Sequence, residues 1–208
     1  MSLKGHIEAI CPNGCEVFEA ELWSFIRGDR DPELRLEIKA REINLIMCPQ
    51  CEKPFFPEQP YIYHEPQAEL LVFVFPLSFR PKQEYWRGKM RADFELMSQT
   101  VGAAFPLRAE PIIIFGVDGL GRLLDFEDYR SEEREVMEWL AKDLGLSLYL
   151  VSPRYGRDND VPGSLPYVRD GLKSTATRES VLAGLEEILK ANDRLTAYGR
   201  YLEKLKSS

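Results

Sequence analysis

The chain has 208 residues and a mass of 24.0 kDa, enough for one large domain or two small ones around an ordinary apolar core. Hydrophobic residues make up 44% of it, which excludes intrinsic disorder, and the longest apolar stretch, Leu70 to Leu77, is too short to span a bilayer and contains Pro76. A formal net charge of -7 and a pI near 5.1 disfavour a whole surface built to bind nucleic acid.

Four cysteines fall in two tight pairs, Cys11-Pro12-Asn13-Gly14-Cys15 and Cys48-Pro49-Gln50-Cys51. Two thiolates separated by two or three residues reach one ion from a single turn, and two such turns complete four-coordination. Cys11, Cys15, Cys48 and Cys51 are therefore read as the ligands of one structural Zn2+ ion. A catalytic zinc keeps a position open for water, and this set fills all four. A start at Met1 with no apolar leader points to a reducing, cytoplasmic compartment, where the rival reading of two disulfides or a redox dithiol is disfavoured.

After the first pair, Phe18, Ala20 and Leu22 alternate with Glu19 and Glu21, the period of a half-buried strand. Asp31-Pro32-Glu33 is a helix start, with Asp31 as N-cap and Pro32 in the first helical position, and Leu34 and Ile38 share a face. Ile43 to Met47 reads as a strand delivering Cys48. Beyond Cys51, Tyr61 to His64 and Leu70 to Phe75 form a hairpin about a turn at Glu65-Pro66-Gln67. Pro76 and Pro81 bracket a linker, after which Trp86, Met90, Phe94, Met97 and Val101 keep helical spacing on one face, the pattern of core packing.

Pro111 to Val117 and Leu146 to Val151 read as strands, with a helix from Ser131 to Leu144 between them stopped by Gly145. Arg154 to Gly163 is polar and turn-rich and reads as a loop. From Thr177 to about Lys206 a helical rhythm runs through Leu185, Ile188, Tyr198 and Leu202, long enough to cross the domain or to project from it, and projection would suit a dimer contact. The fold class is thus α+β. An N-terminal zinc-ribbon-like antiparallel β module with an inserted short helix is expected over residues 1–80, and a small α/β or mostly helical part ending in a long helix over residues 81–208.

These residues resemble the CpXC family, uncharacterised bacterial and archaeal proteins with paired Cys-Pro-x-Cys motifs. The likeness runs from Cys11-Pro12 through Glu19-Ala20-Glu21-Leu22-Trp23, Asp31-Pro32-Glu33-Leu34, Cys48-Pro49-Gln50-Cys51 and Tyr63-His64-Glu65-Pro66 to the strand Leu70 to Phe75. It continues more weakly through Ile114 to Leu120 and Phe126-Glu127-Asp128, covering roughly residues 10 to 140. The first pair departs from the family by its third intervening residue, and Glu52 stands where many zinc knuckles place glycine. The resemblance implies a zinc-binding module and carries no catalytic residues.

His6 and His64 are the only histidines, and His64 reads as a hydrogen-bonded structural residue near a hairpin turn. Gly116-Val117-Asp118-Gly119-Leu120-Gly121 follows an apolar strand but lacks dinucleotide spacing and a Walker lysine, so a plain strand-to-helix turn is expected. Asp125, Glu127, Asp128, Glu132, Glu133 and Glu135 are interleaved with Arg130 and Arg134, as on a solvated helix. The expected function is a non-enzymatic protein-interaction or assembly module that meets an unknown protein partner or a second copy of itself, with no membrane and no nucleic acid. The alternative is an enzyme or binder of a small anionic or phosphate-containing ligand, suggested by the glycine-rich turn with Arg122 nearby.

Overall fold

A computed structural model describes residues 1–101, 111–169 and 175–207, with the side chain of Val101 outside the description. The fold is mixed α+β, as the sequence pattern predicts. The chain divides into two compact units, Met1–Asp125 and Phe126–Ser208.

The first unit is built on a five-stranded sheet of order β1-β2-β5-β6-β7. β1 (Leu3–Ala9) and β2 (Phe18–Arg27) are antiparallel. β2 pairs in parallel with β5 (Tyr61–Glu65), β5 is antiparallel to β6 (Leu70–Phe75), and β6 is parallel to β7 (Ile112–Phe115). Every residue of β6 is buried because both faces of the sheet are covered. On one face Ile26, Tyr63, Val72 and Val74 pack with Leu34 and Ile38 of α1 (Pro32–Ala40) and with Leu120 and Leu124 of α3 (Val117–Asp143). On the other, Leu71, Phe73 and Phe75 meet Trp86, Met90, Phe94 and Met97 of α2 (Gln83–Val101). The aromatic and methionine stripe is therefore core. Since α2 and β7 complete the first sheet, its unit does not end at residue 80.

Asp31 occupies the N-cap position of α1, but its side chain caps nothing there. Its carboxylate instead accepts from the backbone N–H and the hydroxyl of Ser2, at 3.0 and 2.5 Å, which fastens the N-terminus beside β2. Past α1, Asn44 adopts a left-handed φ of 59°. Its carboxamide accepts from the Trp23 N–H at 2.8 Å and donates to the Trp23 carbonyl at 2.9 Å. The strand expected from Ile43 is thereby shortened to β3 (Ile46–Met47), which pairs with β4 (Pro54–Phe55). Pro76 is followed by a 3₁₀ helix over Leu77–Lys82 that leads into α2.

Three further expectations change. α3 begins at Val117 rather than Ser131, so Gly119 and Gly121 lie inside its first turns. A Cβ at Gly119 would meet Ile114 at 2.5 Å and one at Gly121 the Ile38 carbonyl at 3.3 Å, so both glycines allow the helix to sit close to its neighbours. The segment from Arg154 contains a helix, α4 (Pro153–Asn159), capped by the Ser152 hydroxyl at 3.2 Å from the Tyr155 N–H. The expected long terminal helix is two, α5 (Arg178–Ala191) and α6 (Thr196–Ser207), because the chain leaves helical geometry at Asn192 and the Asn192 side chain accepts from the Arg194 N–H instead.

In the second unit β8 (Ser147–Leu150) and β9 (Ser164–Tyr167) are antiparallel, and the core joins Met137, Leu165, Leu185, Ile188, Tyr198 and Leu202. Gly184 brings α5 against β9, where a Cβ would stand 2.6 Å from the Pro166 carbonyl oxygen and 2.8 Å from the Tyr167 Cα. Backbone cannot move aside as a flexible side chain would. Gly184→Ala is expected to destabilise this unit by about 1–3 kcal/mol despite alanine's better helix propensity, measured by urea unfolding.

Candidate metal centre

Two hairpins carry the cysteines. Cys11 and Cys15 lie in the connection between β1 and β2, where the Gly14 N–H donates to the Cys11 carbonyl at 3.1 Å and Gly14 takes a φ of 76°. Cys48 and Cys51 lie between β3 and β4, where the Glu52 N–H donates to the Cys48 carbonyl at 2.9 Å and the Cys48 N–H to the Lys53 carbonyl at 3.1 Å. Glu52 has a φ of 54°, so it holds the left-handed backbone expected of glycine and the turn geometry survives the substitution.

All four Sγ atoms lie within 4.8 Å of one another, so the four residues predicted from sequence converge on one point. Cys11 and Cys48 are buried, and Cys15 and Cys51 are half-buried. All four are free thiols, with Cys11 and Cys51 Sγ 3.7 Å apart, well beyond a disulfide bond. For a metal–sulfur bond near 2.3 Å the edge of a tetrahedron is about 3.8 Å, so that pair already stands at coordination distance. The donor set can hold a metal ion, and its chemistry suits a thiophilic, tetrahedral one.

The sulfurs are tuned unequally. Hydrogen bonding from the Lys53 backbone, aided by neighbouring thiols, draws Cys51 down to about 6, whereas desolvation and the other three sulfurs push Cys15 up to about 12. A divalent cation at this point would favour the thiolate form of each sulfur it contacts.

Asn13 and Gln50 complete the site, although the cysteine spacing gave no sign of them. The Asn13 amide N–H₂ donates to Cys51 Sγ at 3.5 Å and Cys11 Sγ at 3.7 Å, bridging the hairpins. The Gln50 carbonyl accepts from the Glu16 N–H at 3.1 Å. Phe18 and Phe55 meet edge to face, with centroids 6.2 Å apart. The only advance signal was that both polar residues lie in or beside the cysteine turns.

A family model described as CpXC protein matches residues 10–120, just over half of the chain. The chain belongs to the CpXC family. The match takes in both cysteine pairs, strands β2 to β7 and the first residues of α3 but not β1, and ends short of the resemblance read from the sequence. Comparison with curated proteins and with solved structures found no match. Among the described residues of this CpXC chain, no helix is long and apolar enough to cross a membrane.

The other sequence candidates lie apart from the sulfurs. His6 is exposed on β1, 3.5 Å from Glu21. His64 lies on β5 and is 6% exposed. Burial, and secondarily the Arg27 guanidinium, press its pKa down to about 4. Glu127, expected on the surface, is buried and its carboxylate lies 3.1 Å from Arg157.

Two measurements check these readings. The unfolded chain protonates His64 near pH 6.5 and the folded chain only near 4, so its contribution is complete above pH 6.5 and is lost as pH falls. The loss at pH 4 should be on the order of 3 kcal/mol. His64→Gln should flatten that part of a stability profile between pH 6.5 and 4.5. For Cys48→Ser, hydrogen exchange should accelerate in both cysteine hairpins and the adjoining strands while α5 and α6 keep their protection, since ligand loss acts on the elements the ion ties together.

Proposed function

We propose that the four cysteines hold one structural Zn2+ ion and that this CpXC chain is a non-enzymatic interaction or assembly module. The observation that carries the reading is the closed thiolate set together with its surroundings. Ile10, Val17, Met47 and Phe56 flank the metal hairpins in sequence and are 73%, 55%, 63% and 48% exposed. An ion buried behind four sulfurs has no coordination position left for a substrate, so its contribution is to fix the short β3–β4 hairpin against the connection between β1 and β2. The apolar side chains held there suit a protein surface.

Glu8, Glu16, Glu19 and Glu52 stand among them, so the partner surface should be apolar with a basic rim. Zinc thiolates that stay reduced suit a reducing compartment such as the cytoplasm.

Elemental analysis joined to light scattering tests the proposal. One zinc per chain is expected, with a complex, either with a partner or between copies, that Met47→Asp abolishes without loss of zinc. A metal-free protein that folds normally, or a zinc-loaded one that stays monomeric and unchanged by Met47→Asp in every partner assay, overturns it.

A further inference from the structure

The five-stranded sheet ends on one side at β1, and no strand lies beyond it among the described residues. An edge strand carries a row of N–H and C=O groups open to another chain, and folds commonly blunt it with proline, a bulge or a very short run. β1 has seven residues and no proline, and its one irregularity is a register shift between Leu3 and Lys4, so Lys4 to Ala9 run regularly against β2. Lys4, His6 and Glu8 share one face of the strand and are exposed, while Gly5 and Ile7 between them are half-buried.

The charges on that face are unbalanced. Glu8 stands directly opposite Glu19 of β2, and like charges placed directly opposite weaken an antiparallel pair. Neither Glu8 nor Glu19 has an ion-pair partner among the described residues. Lys4, the cation of the face, lies 3.5 Å from Glu21 and 4.9 Å from the centroid of the Trp23 ring. Four residues of strand separate it from Glu8, about 13 Å, so within one copy it does not relieve that carboxylate.

The spacing supplies the relief between copies. Lys4 and Glu8 are placed symmetrically about His6, so an antiparallel pairing turned about His6 sets Lys4 of each copy opposite Glu8 of the other. Sliding by two residues, the smallest step that keeps every side chain on its own face, sets Lys4 or Glu8 opposite His6 and loses both charge pairs. We propose that β1 pairs antiparallel with β1 of a second copy about a two-fold axis at His6, joining the two sheets into one. Two Lys4–Glu8 pairs close the contact, Gly5 faces Ile7, and the open backbone groups of both edges are used. The contact does not rest on the metal reading, because β2 holds β1 in place and the sulfurs take no part.

Sedimentation velocity of the full-length protein over a range of concentrations tests this, and a reversible dimer is expected. Lys4→Glu sets two Glu–Glu pairs across the axis and Glu8→Lys two Lys–Lys pairs. Each should weaken the dimer about tenfold or more, because the symmetry counts every change twice. Glu8→Lys also turns the like-charge pair with Glu19 into an opposite-charge one, so its melting temperature should be unchanged or raised, which separates a lost contact from a lost fold. An equimolar mixture of the two variants should associate again as a heterodimer, since one copy is then acidic at both positions and the other basic. Met47→Asp should leave the wild-type dimer intact; zinc content and any complex that Met47→Asp abolishes are read separately, so failure of one reading leaves the other standing. A protein that stays monomeric at every concentration overturns the proposal, as do variants that dimerise as well as the wild type, a mixture that fails to associate, or a dimer lost in Met47→Asp.

Discussion

The structure of the first unit depends on four sulfurs being brought to one point by two hairpins that are distant in sequence. β3 with β4, two residues per strand, is too small to hold a geometry alone, whereas β1 and β2 are anchored in the five-stranded sheet. Their tips meet through Asn13, Gln50 and the Phe18–Phe55 contact, so protein bonds already set the approach. Those contacts are few and lie at an exposed edge. The four sulfurs that they gather form a donor set able to hold a metal ion, at a point chosen by the protein's own contacts.

Much of this was legible because it is local. Paired cysteines, the alternation from Phe18, the Asp31-Pro32 helix start and the hairpin turn at Glu65-Pro66-Gln67 each act over a few residues. What escaped was set by distant partners. Nothing near Phe25 announces that β2 lies parallel to β5, and nothing near Ile113 announces its place beside Phe73. The apparent break at Pro76 and Pro81 concealed a crossover, since α2 covers the reverse face of the same sheet. The cysteine cluster was visible because its chemistry is written in its spacing, whereas the buried Tyr61 hydroxyl, without a partner among the described residues, is a feature only a fold can reveal.

Glycine and proline misled where their packing role outweighed their local preference. Gly119 and Gly121 suggested a turn, yet their lack of a side chain is what allows α3 to lie against Ile114 and the end of α1. Pro153, just before the segment from Arg154 that reads as a loop, is the first residue of α4, where its missing N–H costs nothing. The division between α5 and α6 had the reverse cause: the Asn192 side chain takes the Arg194 N–H, and this local bond interrupts an otherwise continuous apolar rhythm.

Position 44 shows how narrow the choice at one residue can be. The backbone there is left-handed, a conformation that asparagine tolerates better than most side chains, and the same side chain imitates a neighbouring strand by pairing with both halves of the Trp23 peptide unit. Glycine would suit the backbone and lose the pairing; aspartate would keep the shape and set a negative oxygen against the Trp23 carbonyl. Asparagine answers both demands, so the point at which the chain, having left α1, is fastened beside β2 on its way to the second cysteine pair is set by a single carboxamide.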